Sequence, residues 1–169
     1  MLPTRDPREN KVLHRLKVKG CKQIFQANAR GKKARVAILI SDKIDFKRRA
    51  IKRDPEGHFI ILMGRLYQED INIVNIYAPN IGAPTYIKKI LEDFKTYIDR
   101  NTIIAWDFNT PLSKMDRSSK QNINKHIVAL KNSLDEMDLT DIYRAIHPKE
   151  AKYTFFSNAH GTFSKIDHI

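Results

Sequence analysis

"TIIAWDFNTPLSKMDRSS", Thr102 to Ser119, begins as an apolar run of strand length and breaks at Asp107 into a polar loop. A short apolar run bounded by turn residues reads as a buried strand. Asp107 and Asn109 stand where it empties out. In an extended segment, residues two apart point to the same side, so both side chains can converge on one ligand. A carboxylate beside an amide suits a hard cation or a phosphate. The carboxylate binds or activates water, and the amide donates to a phosphoryl oxygen. The same pair equally suits an Asx turn at a strand end.

Outward from this stretch the chain alternates. Residues 34–41 ("ARVAILIS"), 58–67 ("HFIILMGRLY") and 69–80 ("EDINIVNIYAPN") read as strands buried on at least one face. Between the first two lies the charge-rich "DKIDFKRRAIKRDPEG". Thr85, just after Pro84, is the expected cap of a helix over 86–100, where Ile87, Ile90, Leu91, Phe94 and Ile98 recur at helical spacing. A second helix is expected over 119–137, with Ile123, Ile127, Leu130, Leu134 and Met137 as its apolar stripe. A short helical piece around "DIYRAIH" ends before Pro148. "KYTFFS" and "TFSKIDHI" read as two strands joined by the turn "NAHG". Buried strands interrupted by outer helices make a layered α/β domain. Residues 1–12 read as a poorly ordered segment ahead of one domain over 13–169, and the stop at Ile169, inside an apolar strand, reads as a truncation.

The 169 residues suit one domain with a sizeable core. Lys and Arg number 31 against 19 Asp and Glu, a net charge of +12, which favours a polyanionic partner such as nucleic acid. The basic segments "RGKKAR" (30–35) and "KRRAIKR" (47–53) suit a phosphate backbone or, equally, solvated loops. Cys21 is the only cysteine, which excludes an intramolecular disulfide and a thiolate zinc cluster. The N-terminus has no signal-peptide core and no apolar run is long enough to span a bilayer, so an intracellular location in nucleus or cytoplasm is expected, with no membrane partner.

Other strand ends repeat the theme of Asp107. Tyr77 and Asn80 stand where one strand runs out, Thr154 begins another, and Asp167 and His168 close the chain. Polar groups gathered at the ends of several strands are how layered α/β enzymes build sites. Each has a plainer reading: Tyr77 as a half-buried aromatic, Thr154 as a β-branched strand residue, and His168 as a side chain pointing into the fold.

Taken in order and at their spacing, "NIVNIYAPN", "IAWDFNTPLSKMDRS", "LTDIYRAIHP" and "YTFFSNAHGTFSKIDHI" resemble the endonuclease domain of long interspersed element retrotransposons. That domain opens their reverse-transcriptase polyprotein and belongs to the endonuclease/exonuclease/phosphatase family, alongside apurinic endonucleases. The likeness runs from about Leu13 to Ile169. It implies a four-layered α/β sandwich, here incomplete, with two sheets face to face and helices outside. It also implies Mg²⁺-dependent hydrolysis of a DNA phosphodiester, with Mn²⁺ as a substitute ion. Asp107 would then bind the metal weakly and orient or deprotonate the attacking water. Asn109 would hold a phosphate oxygen, Tyr77 would contact the scissile phosphate, and Asp167 would sit at the site's edge. Thr154 and Arg117 would approach the DNA, and the rest of a reverse-transcriptase polyprotein would be a partner.

Four departures accompany the match. The family's opening strand with its Asn, and the following motif whose Glu binds the metal, have no counterpart here. Neither does the closing motif that carries its catalytic His. Trp106 stands where the family usually has Gly, so a large ring is expected to crowd the metal pocket. Unpaired strand edges and a marginal, aggregation-prone fold are expected as well. The alternative function is therefore a catalytically inactive remnant, at most a basic nucleic-acid-binding module. A phosphoesterase for inositol phosphates or lipids shares the fold class, but "YTFFS" and "SKIDHI" argue against it.

Overall fold

The computed structural model describes residues 18–28, 34–119 and 123–169. The expected N-terminal segment 1–12 and most of "RGKKAR" lie outside them. Among these residues nine strands and three α-helices follow in order: β1 (Cys21–Asn28), β2 (Ala34–Ser41), β3 (Phe46–Arg53), β4 (Phe59–Leu66), β5 (Glu69–Tyr77), α1 (Ala83–Phe94), β6 (Thr102–Asp107), α2 (Lys125–Glu136), α3 (Ile142–Ile146), β7 (Phe155–Ser157), β8 (Thr162–Ser164) and β9 (Asp167–His168).

The central sheet has the order β3-β4-β5-β6-β9, antiparallel except for the β5–β6 pair, whose parallel join is made by α1. Strands β1 and β2 form a separate antiparallel pair, and β7 and β8 form another. Alternation along the central strands sends side chains to two cores. Ile61, Val74, Ile76, Ile104 and Trp106 meet Ile87, Leu91 and Phe94 of α1 and Leu130 and Leu134 of α2. On the other face Ile60 and Leu62 meet Phe25, Val36, Ile38 and Ile40 of the β1–β2 pair. Two sheets therefore pack face to face with helices outside one of them, in agreement with the layered reading. Polar ties cross between the sheets: Asn75 Nδ2 donates to the Ala37 carbonyl at 2.9 Å, and Arg53 Nε to that of Gln26 at 2.9 Å.

The charged segment 46–53 is a strand, not a solvated loop. Its residues Lys47, Arg48 and Arg49 are exposed, but Phe46 is buried in the second core. Their charge suits the position, because β3 is an edge strand and charge there discourages pairing with another chain. Strand β4 meets it closely at Gly64. A Cβ there would run into the Phe46 ring and come within 2.7 Å of the Lys47 carbonyl. Gly64→Ala should therefore cost about 1–3 kcal/mol, because a packed ring and a backbone must both shift. A urea melt with an unchanged midpoint would refute that.

Helix boundaries also differ from the sequence reading. Helix α1 starts one turn early, at a Gly82 cap with φ 74°, because Pro84 is tolerated in a first turn. It stops at Phe94 rather than Arg100. The Tyr97 carbonyl, which would continue the ladder, instead accepts from Asn72 Nδ2 at 2.9 Å and from Thr102 Oγ1 at 3.3 Å. Helix α2 begins at Lys125, where the Asn124 carboxamide oxygen accepts from the Ile127 amide at 3.0 Å.

Strand β9 pairs only with Trp106 and Asp107, the last two residues of β6. No described strand lies beside Thr102–Ala105 on that side. A groove of about 570 Å³ runs there, lined by Ile98, Ile104, Leu134, Met137 and Ile169 among others.

Candidate active site

Pairing register brings the strand-end residues together. Tyr77 on β5 lies opposite Asp107 on β6, and Asp107 lies opposite Asp167 on β9. Directly paired residues put their side chains on one side of a sheet, so the three form a row across adjacent strands. The Tyr77 amide donates to the His58 carbonyl at 2.7 Å, which extends the row's backbone toward β4.

Asp107 makes the turn that its sequence suggested. Its Oδ1 accepts from the Asn109 amide at 2.9 Å. Asn109 then sits at φ 48°, a left-handed conformation that Asn tolerates well. The extended geometry expected across 107–109 therefore ends at Phe108. Asn109 instead swings its Nδ2 onto the Ala78 carbonyl, while the Ala78 amide donates to the Asp107 carbonyl at 2.9 Å. Turn and cluster coexist, since the turn is what carries Asn109 to the end of β5.

Burial pushes the Asp107 carboxyl above its ordinary range, the Asn109 amide pulls it back, and the charge of Asp167 adds to the rise. Tyr86, behind the same sheet end, is pushed up to about 12 by burial and by the charge of Asp54. It keeps its proton at neutral pH.

Trp106 does not crowd this row. It is buried in the helix-side core, with its ring centroid 4.3 Å from that of Phe108. Alternation sends it to the face opposite Asp107. The Thr154 hydroxyl oxygen holds the backbone leading into β9, accepting from the amides of Ile166 at 3.1 Å and Asp167 at 3.3 Å. Arg117 is half-buried and forms an isolated antiparallel bridge to Ser164 at the end of β8.

A buried ionic cluster behind β9 escaped the sequence reading. Asp141 Oδ2 lies 2.7 Å from Lys165 Nζ and 2.8 Å from His168 Nδ1. Its Oδ1 accepts from the Arg144 amide at 3.1 Å and caps α3. Burial raises the Asp141 carboxyl, but the bonds from His168, Lys165 and the Arg144 amide outweigh it and hold the group well below the usual carboxylate range. His168 points into the fold as expected, against Phe108 at 5.1 Å between ring centroids. A second tie fixes the loop after the site. The buried Asp116 carboxylate accepts from the Ser113 amide and hydroxyl, each at 2.8 Å, and pairs with Arg144 Nη2 at 2.7 Å. The sequence did carry one signal, an Asp placed to cap "IYRAI".

Among the described residues no three His, Cys, Asp or Glu side chains gather as a metal-binding group. No described helix is long and apolar enough to cross a membrane.

The layering and strand order define an α/β fold of the endonuclease/exonuclease/phosphatase type, the fold of several nucleases. The chain superposes on the endonuclease domain of TRAS1, a telomere-specific non-LTR retrotransposon, with TM-score 0.63 and 17% identity over 86% of this chain and 64% of that one. It also matches the zebrafish (D. rerio) TDP2 complexed with a single-strand DNA product, at TM-score 0.56 and 8% identity over 86% and 60% of the two chains. AP endonuclease LMAP from Leishmania major gives TM-score 0.53 and 15% identity over 89% and 52%. In sequence, 113 residues are 27% identical to an uncharacterized 149 kDa protein of transposon TX1 from Xenopus laevis, covering 63% of this chain and 8% of that protein. No family profile matches the chain. The resemblance to a retrotransposon endonuclease domain read from the motifs is thus borne out, with the chain spanning less than two thirds of each of these proteins.

Proposed function

We propose that the chain is a divalent-metal-dependent DNA endonuclease of the retrotransposon type, acting on a phosphodiester held at the ends of β5, β6 and β9. The observation that carries this reading is the row Tyr77, Asp107, Asp167, with Asn109 tied beside it. Asp107 takes the proton of the attacking water. Burial and the nearby Asp167 make its carboxylate a better proton acceptor than an exposed one, as a general base requires. The Tyr77 hydroxyl and the second amide hydrogen of Asn109 donate to non-bridging phosphate oxygens. Thr154 sets Asp167 by accepting a hydrogen bond from the Asp167 amide on its hydroxyl oxygen, and Arg117 contacts the DNA backbone.

The donor set fits Mg²⁺, or Mn²⁺ in its place. Asp107 and Asp167 are carboxylates directly paired on adjacent strands, and Mg²⁺ is usually held by one or two carboxylates plus substrate phosphates. Such an ion would neutralise charge on the phosphoryl oxygens. The net charge of +12 supports a DNA partner. The likeness to part of a large transposon protein supports work within a longer polyprotein, with the nucleus as the place of action on DNA.

The test is nicking of supercoiled plasmid by the purified chain with Mg²⁺. Nicking that disappears both with EDTA and in Asp107→Ala is the expected outcome. The second reading, DNA binding without cleavage, is favoured by the absence of a three-ligand metal group among the described residues. Salt-sensitive DNA binding with no nicking would establish it in place of the first.

A further inference from the structure

Arg144 sits on α3, a helix of five residues, with its side chain only 25% exposed. Its guanidinium forks between two separate segments. Nη2 donates to the buried Asp116 carboxylate at 2.7 Å, in the loop that follows β6. Nη1 donates to the Glu150 carbonyl at 2.9 Å and to that of His147 at 3.5 Å, in the link that runs from α3 toward Thr154. A buried ion pair adds little stability over apolar side chains of the same size, so packing alone does not call for it. A planar guanidinium does something an apolar chain cannot. Its donors point in fixed directions, so it sets the distance between the groups it joins.

What it joins is the chain on either side of β8. On one side, Arg117 pairs with Ser164. The Asp116 carbonyl accepts from the Lys165 amide at 2.8 Å there, and the Ser118 amide donates to the Phe163 carbonyl at 3.0 Å. On the other side, the Thr154 amide donates to the Ser164 carbonyl at 2.9 Å, and its hydroxyl accepts from the Asp167 amide. Backbone bonds thus carry each segment onto β8, and Arg144 closes the circuit between them through a side chain. Arg117 at one end and Asp167 at the other are held in one frame.

We propose that Arg144 is a positioning residue for DNA. Acting through Asp116, it fixes Arg117 at a set distance from Asp167, so that Arg117 meets the backbone of a DNA whose phosphodiester lies at Asp107. This rests on the DNA reading above. The test is a double-mutant cycle on the full chain, with Kd for one duplex measured by anisotropy in EDTA over a range of salt. Arg117→Ala should weaken binding several-fold and reduce the salt slope by about one. Arg144→Lys should do nearly the same, because an ammonium keeps the charge and loses the fork. Adding Arg117→Ala to Arg144→Lys should then change little more, the non-additivity of residues that act as a unit. Asp116→Asn weakens the same pair and should give the same result, and it replaces Arg144→Lys in the cycle if that variant does not fold. Urea melts on the same proteins separate positioning from stability. A lower midpoint with the wild-type Kd and salt slope, a full additive effect of Arg117→Ala in the variants, or failure of both variants to fold makes the pair structural and overturns the proposal. An Arg117→Ala protein that binds like wild type also overturns it, and leaves the DNA reading standing. No anisotropy change with wild type and any duplex overturns both.

Discussion

Asp141→Ala should lower stability by about 3–5 kcal/mol, the usual cost of stranding a buried charge. The side chains of Lys165 and His168 are only 5% and 2% exposed, so water cannot replace the lost carboxylate. The same substitution removes the cap of α3. Asp141→Asn should lie between wild type and alanine, since its carboxamide oxygen keeps the cap but not the charge. The double variant Asp141→Asn/Lys165→Met should recover much of the loss, because a buried ion pair is often replaceable by apolar side chains. Urea melts at neutral pH give these numbers. If the alanine variant melts like wild type, the cluster is not holding β9. The pH dependence has a definite sign. A carboxyl held low in the folded state stabilises above its unfolded value near 4, and that contribution is lost as pH falls through the folded one.

Asp107→Asn should do two opposite things. Nicking should fall by about 10²–10⁴, the usual share of a positioned proton acceptor. Stability at neutral pH should rise. The Asp107 carboxyl is raised in the folded state, so the folded chain holds its proton more tightly than the unfolded one. Stability therefore falls as pH rises from the ordinary carboxylate value through the raised one, and the ionised group is a burden above it. Asn removes that charge while its side-chain oxygen still accepts the Asn109 amide. Asp107→Ala loses that bond and should show no such gain. A lower melting midpoint for Asp107→Asn than for wild type would mean that the carboxylate stabilises the fold, contrary to its burial beside Asp167.

The parts of this fold that were legible in the sequence are those in which a local pattern and the final packing agree. The run at 34–41 is apolar because Val36, Ile38 and Ile40 face the second core, and the run at 59–66 because Ile61 faces the helix-side core while Ile60 and Leu62 face the other; Ile87, Ile90, Leu91 and Phe94 are spaced by the helix that buries them. Strand β3 was illegible because its charges answer to an open edge, while Phe46 and, in part, Ile51 answer to a core. The end of α1 was illegible because Asn72, 25 residues before Tyr97, and Thr102, in the strand that follows, both donate to the Tyr97 carbonyl. Of the candidate site, the strand-end positions could be read, but not the means of gathering them. Asn109 reaches Ala78 through a left-handed turn, and β9 is placed by a carboxylate 26 residues before Asp167, a separation no local pattern encodes.

Among the described residues no strand covers the edge of Thr102–Ala105 that faces away from β5, and that edge governs how the protein behaves as a material. Amide and carbonyl groups along an open strand edge beside an apolar groove form a template on which a like segment of a neighbouring molecule can add. Such growth is second order or higher in protein, whereas local melting within one molecule is first order. Dilution, more than cooling, is then what sets the working life of a preparation.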